Sequence, residues 1–492
     1  MKLPGFIDFD FTVLTRLPTI QAALFHVALS MGMSVHVLLR KRDSKSAFAW
    51  LGVIWLSPVI GAVSYWMFGI NRITRKAAKL KIKERRMTQV HETLRGVADD
   101  GGESELPEFT RLVNKIIDKK LLPHNQVRTL FGGEQAYPEM IAAIHAAKRS
   151  ICMQTYIMNW GQSSHEFVEA LQKAMQRGVQ VRLLIDGVGA RYRLPSIASH
   201  LRRAKIPHAY FLNSIWPWQF GFFNLRNHRK LMIVDGKFAF TGGLNIRDRH
   251  DARLLKSKQK YTEDIHFSVR GPVVGDLMES FAQDWFFTTG EVLNPSIWYT
   301  QADIDASVPA NSWCRLVSCG PDEEFERSKW VLIGALKLAK KSVRICTPYF
   351  VPDTDVVTAL RCAALAGVLV ELIVPEKNNV PLVQWASMTI MPQIVKSGCR
   401  VYMSPPPFDH SKLMIVDDAW SFVGSANWDA RSLRLNFEMN LEVHDVSLAQ
   451  VLAQHFDTKR AASKRLTRAD LKRRSTLLQL RDNAARMFSP YL

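Results

Sequence analysis

Cysteine is scarce in this chain. Six are scattered over 492 residues, at positions 152, 314, 319, 346, 362 and 399. No two have CxxC or zinc-knuckle spacing, which excludes a zinc ribbon and a dense disulfide framework. Most sit in apolar runs and read as buried free thiols of a reducing compartment. Acidic residues are also in deficit, 45 Asp and Glu against 65 Lys and Arg, for a net charge of +20. That balance calls for an anionic partner, either acidic phospholipid or nucleic acid. The length allows two or three domains, and a hydrophobic content of 47% supplies large cores and a membrane segment.

Long apolar runs are present near the N-terminus. One covers about 20–39 and a second about 47–70, each close to the ~20 residues needed to cross a bilayer. Trp50, Trp55 and Trp66 lie in the second, and Tyr65, Trp66 and Phe68 near its end suit an interfacial belt. The first run has a thin charged n-region and no small-x-small site after it, so it reads as retained rather than cleaved. A two-helix transmembrane hairpin over residues 1–70 is expected. His26 and His36 in the first run read as structural or interfacial. The basic run from Arg72 to Arg86 then places the remainder in the cytoplasm, close to an anionic leaflet. Residues 71–110 form this juxtamembrane segment and an acidic linker around 99–105.

Beyond the linker the chain repeats itself. Helix-like Glu139 to Lys148 precedes the strand-like run 150–156, and Trp330 to Lys341 precedes 342–349. Phe167 to Arg177 precedes Gly178 and a β-branched run, and Val356 to Ala366 precedes Gly367 and another. Helix, glycine cap, strand, twice over, predicts two pseudo-symmetric α/β domains, at 111–300 and 301–492. Each domain contains the pattern HxKxxxxDxxxxxxGxxN. The first copy holds His228, Lys230, Asp235 and Asn245; the second holds His410, Lys412, Asp417 and Asn427. The Leu-Met-Ile-Val run inside each copy reads as a buried strand with His and Lys on one face at its start.

These residue types suit a phosphodiester. Two lysines and two asparagines can neutralise and hold its non-bridging oxygens without a metal. One imidazole can attack phosphorus while the other protonates the leaving alkoxide and later takes a proton from the incoming hydroxyl. Each imidazole needs its second nitrogen held. Asp264 and Glu438, in strand-like segments downstream of the two copies, are the candidates, with Glu263 competing in the first half. Asp235 and Asp417, four apolar residues past the lysines, read as structural. Neither copy has a second His or Cys at ligand spacing, so no metal or other cofactor is expected.

Together these phrases resemble the HKD motifs of the phospholipase D superfamily. Residues 347–353, 431–438 and the N-terminal hairpin narrow the likeness to bacterial cardiolipin synthases of that superfamily. The resemblance implies a catalytic set of His228, Lys230, Asp235, His410, Lys412 and Asp417, with His228 as nucleophile and His410 as acid and base. It implies a transfer of a phosphatidyl group between two phosphatidylglycerols in the bacterial cytoplasmic membrane, with release of glycerol. Alternatives are phospholipase D hydrolysis, transfer from another donor such as phosphatidylethanolamine, and nuclease action. The hairpin argues against a nucleic-acid partner. Gly243 stands where the family often has Ser, removing one possible hydroxyl donor to phosphate. The aromatic run 215–223 is a candidate contact with the headgroup layer. Residues 381–394 and 465–487 read first as packed helices, with lipid contact as the alternative for each.

Overall fold

The computed structural model describes residues 19–41, 44–69, 107–191, 196–213, 225–257, 260–300, 310–320 and 325–489. The basic run 72–86, the acidic linker and the aromatic run 215–223 lie outside the described residues. The chain divides into two compact units, one built on the N-terminal helices and one holding the α/β body.

The N-terminal unit begins with α1 (Thr19–Arg40), whose stretch Ala23–Arg40 is long and apolar enough to cross a membrane by length and composition. The second apolar run, expected as one helix, is broken. α2 (Ser44–Leu56) stops before Ser57, and α3 (Pro58–Ser64) restarts with the proline at its first position. Proline has no N–H to continue the ladder and clashes with the preceding turn, so it suits a first turn and not an interior. α2 alone spans about 20 Å at 1.5 Å per residue. The helices still pack as a hairpin around Val37, Ala47, Ile54 and Tyr65. Trp55 donates its indole N–H to Ser34 Oγ at 3.1 Å, and His36 Nδ1 lies 3.1 Å from the Tyr65 hydroxyl. Leu24, Phe25, Leu39, Phe48 and Leu56 point outward.

In the body, helix α4 (Pro107–Ile116) precedes the first half. That half holds β1 (Leu122–Phe131), β2 (Ser150–Thr155), β3 (Gln180–Asp186), β4 (His208–Phe211), β5 (Leu231–Val234), β6 (Phe238–Gly242), β7 (Thr262–Glu263), β8 (Ile265–Arg270) and helix α5 (Val273–Thr289). The second holds β9 (Ser312–Cys319), β10 (Ser342–Cys346), β11 (Phe350–Val351), β12 (Leu369–Pro375), β13 (Arg400–Ser404), β14 (Phe408–Asp409), β15 (Leu413–Val416), β16 (Trp420–Gly424), β17 (Trp428–Asp429), β18 (Glu438–His444), helix α6 (Val446–Ala462), β19 (Lys464–Leu466) and helix α7 (Thr476–Arg486).

Fifteen strands form one sheet in the order β19-β13-β12-β10-β15-β16-β18-β9-β1-β8-β6-β5-β2-β3-β4. Read outward from the β9–β1 pair, the order matches on both sides, and β19 is an extra edge strand. The strands of the repeated phrase, β5 and β15, are fully buried and occupy equivalent places. β5 pairs with β2 and β6, and β15 with β10 and β16, in the same register. On one face α5 and α6 cover a core drawn from both halves, including Phe281, Trp285, Leu316, Leu441, Leu452 and Phe456. On the other face each half has its own core. α4 belongs spatially to the second half: Phe109 packs edge-on to Trp420 with ring centroids 5.0 Å apart.

Candidate active site

Each copy of the repeated phrase runs from an irregular segment into a buried strand and then a two-residue turn. At that turn Asp235 has φ +54° and is followed by Gly236 at +70°; Asp417 has φ +53° and is followed by Asp418 at +56°. The Asp235 carboxylate accepts the backbone N–H groups of Lys148, Arg149 and Ser150 at 2.9, 2.7 and 2.9 Å. Asp417 accepts those of Lys340, Lys341 and Ser342 at 2.8, 2.7 and 2.9 Å. Each aspartate thus ties the turn to the start of the neighbouring strand, β2 or β10. Three charge-assisted bonds to backbone leave it occupied in the framework.

The histidines are fixed crosswise. His228 Nδ1 lies 3.0 Å from Glu438 Oε2, and His410 Nδ1 lies 2.6 Å from Asp264 Oδ2. The carboxylate for each imidazole therefore comes from the other half. Both of the downstream carboxylates contact an imidazole, but neither contacts the histidine of its own copy. The backbone explains the exchange. His228 N–H donates to Phe437 O at 2.9 Å, and His410 N–H donates to Glu263 O at 2.8 Å. β14 pairs with β7, and an isolated bridge joins Asn227 to Phe437. Each histidine segment is laid against the residue preceding the opposite carboxylate, so the next side chain meets its ring. Glu263 faces away and pairs with Lys459.

Lys230 is fully buried, and its ammonium donates to His228 O at 2.5 Å; Lys412 donates to His410 O. Burial lowers Lys230 to about 7, with Glu438 opposing and the Lys412 charge adding. Burial likewise lowers Lys412. Both imidazoles are pushed below the ordinary histidine range, first by burial. Glu438 partly restores His228, whereas Lys412, Lys230 and His228 depress His410 further. The His228 partnership and Lys230 outweigh burial to hold Glu438 below its usual range; burial dominates at Asp264 and raises it. The charges of both halves act on one another within one buried cluster.

Asn245 Oδ1 accepts the Ile157 N–H at 3.1 Å, which leaves its NH2 without a protein partner among the described residues. Asn427 Nδ2 donates to Ser432 Oγ at 3.2 Å, and its Oδ1 is buried without a donor. Ser425, the counterpart of Gly243, donates its hydroxyl to Glu438 Oε2 at 2.5 Å and accepts Met439 N–H at 2.9 Å. This serine supports the carboxylate. At Gly243 the Asp264 carboxylate fills the space itself: an added Cβ would lie 1.9 Å from Oδ1. Asp264 Oδ1 then accepts the Ile265 N–H directly at 2.8 Å. The departure at Gly243 therefore concerns the histidine's carboxylate.

Other residues of the site were not singled out from sequence. Arg229, inside the first phrase, donates to Asp284 on α5 at 2.9 Å, and Asn227 and Gln154 join the same carboxylate. The second half uses the reverse polarity: Asp409 on the strand side pairs at 2.9 Å with Lys459 on α6. The Tyr156 ring meets His228 at 5.0 Å, and the Tyr349 ring meets His410 at 6.0 Å, both edge-on. Arg229 and Asp409 lie within one residue of the motif histidines, which is the signal that proximity could have supplied.

The fold and the paired phrases define the phospholipase D-like class. A family model described as "Cardiolipin synthase, PLD-like domain" matches residues 140–285 and 332–460, and one described as "Phospholipase_D-nuclease N-terminal" matches 28–69. The chain is 30% identical to a cardiolipin synthase of Alkalihalophilus pseudofirmus over 94% of this chain and 92% of that one. It is 29% identical to the major cardiolipin synthase ClsA of Bacillus subtilis over 96% of this chain and 99% of that one. Its fold is that of a phosphatidylserine synthase from Haemophilus influenzae, at a TM-score of 0.61 and 16% identity, over 78% of this chain and 100% of the other. The chain belongs to the cardiolipin synthase family of phospholipase D-like proteins.

Proposed function

We propose that the protein forms cardiolipin from two phosphatidylglycerol molecules. His228 Nε2 attacks phosphorus and the P–O bond to the leaving glycerol breaks. His410, protonated on Nε2 once the bound phosphodiester anion offsets the charges of Lys230 and Lys412, gives that proton to the departing alkoxide. A hydroxyl of the second phosphatidylglycerol then attacks the phosphohistidine, His410 takes that proton back, and the N–P bond breaks. Lys230 and Lys412 carry the charge of the non-bridging oxygens, with the Asn245 NH2 as a neutral donor. A rotated Asn427 amide accepts from Ser432 and frees its own NH2 for the same role. Asp264 and Glu438 hold the imidazoles by Nδ1 and so keep both Nε2 atoms for phosphorus and the alcohol. Asp235 and Asp417 act on the framework alone.

The observation carrying this reading is the reciprocal pair of histidine–carboxylate contacts across the two halves. The family supports the substrate class. We also place the N-terminal helices in the bacterial cytoplasmic membrane as a two-pass hairpin, with the body in the cytoplasm. The number of basic residues after the second run favours that orientation.

The decisive experiment is incubation of membranes holding the full chain with labelled phosphatidylglycerol. Cardiolipin and free glycerol are the expected products, and His228→Ala and His410→Ala each lose on the order of 10³-fold or more of the rate. Phosphatidic acid as the sole lipid product makes the protein a hydrolase. Mapping the acid-labile phosphoryl adduct after a brief reaction assigns the nucleophile, and an adduct on His410 reverses the two roles.

A further inference from the structure

α7 turns an apolar stripe outward. Asp482 and Ala485 face the body and are buried. At about 100° per residue, Leu477, Leu480 and Ala484 form a stripe on the opposite side, edged by Thr476 and Asn483 on one flank and Arg481 on the other, and Met487 and Phe488 continue it past the helix end. Leu477 is 78% exposed, Leu480 62% and Met487 81%. A helix on a solvated surface ordinarily carries polar residues there.

Charge surrounds this stripe. Residues 464–486 contain eight Lys or Arg and two Asp. Both aspartates are engaged: Asp482 by Arg474 and Arg481, and Asp470 by the Thr467 cap. Lys464, Arg465, Lys472 and Arg473 are exposed, and Lys464 and Arg473 act on the Asp470 carboxylate only through space. An open groove of about 420 Å³ adjoins the helix. Trp385, Met388, Met403 and Leu466 give it apolar walls, and four cations, Lys464, Arg465, Arg474 and Arg481, line it against two carboxylates, Glu376 and Asp470. The Arg481 guanidinium lies 4.6 Å over the Trp385 ring.

The geometry points to a docking surface for an anionic lipid leaflet, formed by α7 and this groove. The apolar stripe enters the boundary between headgroups and acyl chains, and the surrounding cations meet lipid phosphates. A second copy of the chain would set like charge against like charge on the same face. A nucleic acid would use the cations and leave the leucines and Met487 in water. The surface lies within the α/β body and does not rest on the transfer reading.

The test uses the full chain reconstituted in vesicles. Cys362, the one exposed cysteine, is replaced by Ser, and a single cysteine at Leu480 or Gln479 carries an environment-sensitive fluorophore. In phosphatidylcholine vesicles containing phosphatidylglycerol, the label at 480 is expected to be quenched by brominated lipid and shielded from iodide. The label at 479, on the polar side, stays open to iodide. Lys472→Gln with Arg473→Gln reduces the lipid quenching at 480 several-fold. Equal iodide access at 480 and 479 overturns the proposal. Shielding without lipid quenching, the mark of a protein partner, overturns it too, and so does equal lipid quenching in vesicles of phosphatidylcholine alone.

Discussion

Gly243 and Ser425 hold the same place in the two copies and solve one problem in two ways. In the second half a hydroxyl links the Met439 N–H to the longer Glu438 carboxylate. In the first half the shorter Asp264 reaches back into the space a side chain would take. Gly243→Ser should therefore displace Asp264 and misalign His410, lowering kcat more than KM. Adding Asp264→Glu recreates the other half's arrangement and should recover part of the loss. A double mutant no better than the worse single mutant would contradict this coupling. Lys230 offers a second residue-scale test. Its value of about 7 lies below the ordinary 10.5, so between these limits the unfolded chain binds more protons than the folded one. Its contribution to stability therefore rises with pH across that window, and the cost of charging it is full below about 7. A bound anion favours the ammonium and reverses the balance. Inhibition by tungstate, which does not titrate in this range, should weaken above about pH 7 by up to roughly tenfold per unit. Lys230→Arg, which stays charged, should remove the part of that fall that begins near pH 7 and leave only the part owed to Lys412.

At the scale of elements, the aspartate of each phrase belongs to its turn. Asp235 and Asp417 adopt the left-handed conformation and clamp the start of the neighbouring strand by three backbone N–H groups each. Asparagine tolerates the same conformation but cannot accept all three bonds as a charge. Asp235→Asn should cost about 1–3 kcal/mol, seen as a lower Tm, with kcat at low temperature near the parent value. A large loss of kcat without a loss of stability would return this residue to the chemistry. Glycine at 242 and 424 is an element-scale requirement as well. Both have high positive φ, and an added Cβ would lie 2.7 Å from Ile265 O at the first and 2.3 Å from Met439 O at the second. The same close approach seats the adjoining carboxylate strand. In the N-terminal unit, Pro58 divides a run whose composition alone reads as one helix.

For the whole molecule, the exchange of carboxylates makes each half incomplete. An isolated first half leaves His228 without Glu438, and an isolated second half leaves His410 without Asp264. The halves also share the core beneath α5 and α6, and α4 lies on the second half although it precedes the first. Breaking the chain between Thr300 and Ser312 and co-expressing the pieces should restore cardiolipin formation, while either piece alone stays inactive. Activity from one piece would mean that each half orients its own histidine.

The repetition, the buried Leu-Met-Ile-Val strands and the residues flanking them were legible in the sequence. Alternation and glycine punctuation are local properties, and identical spacing gives identical strands and turns. Composition likewise marked the apolar N-terminus, because the length and hydropathy of a run are local properties. The partner of each histidine was not legible. His228 and Glu438 are 210 residues apart, and nothing local distinguishes a carboxylate serving its own copy from one serving the other. Only the pairing of β14 with β7 and the Asn227–Phe437 bridge decides it. The buried braces Arg229–Asp284 and Lys459–Asp409 belong to the same class, since they depend on which helix covers which strand.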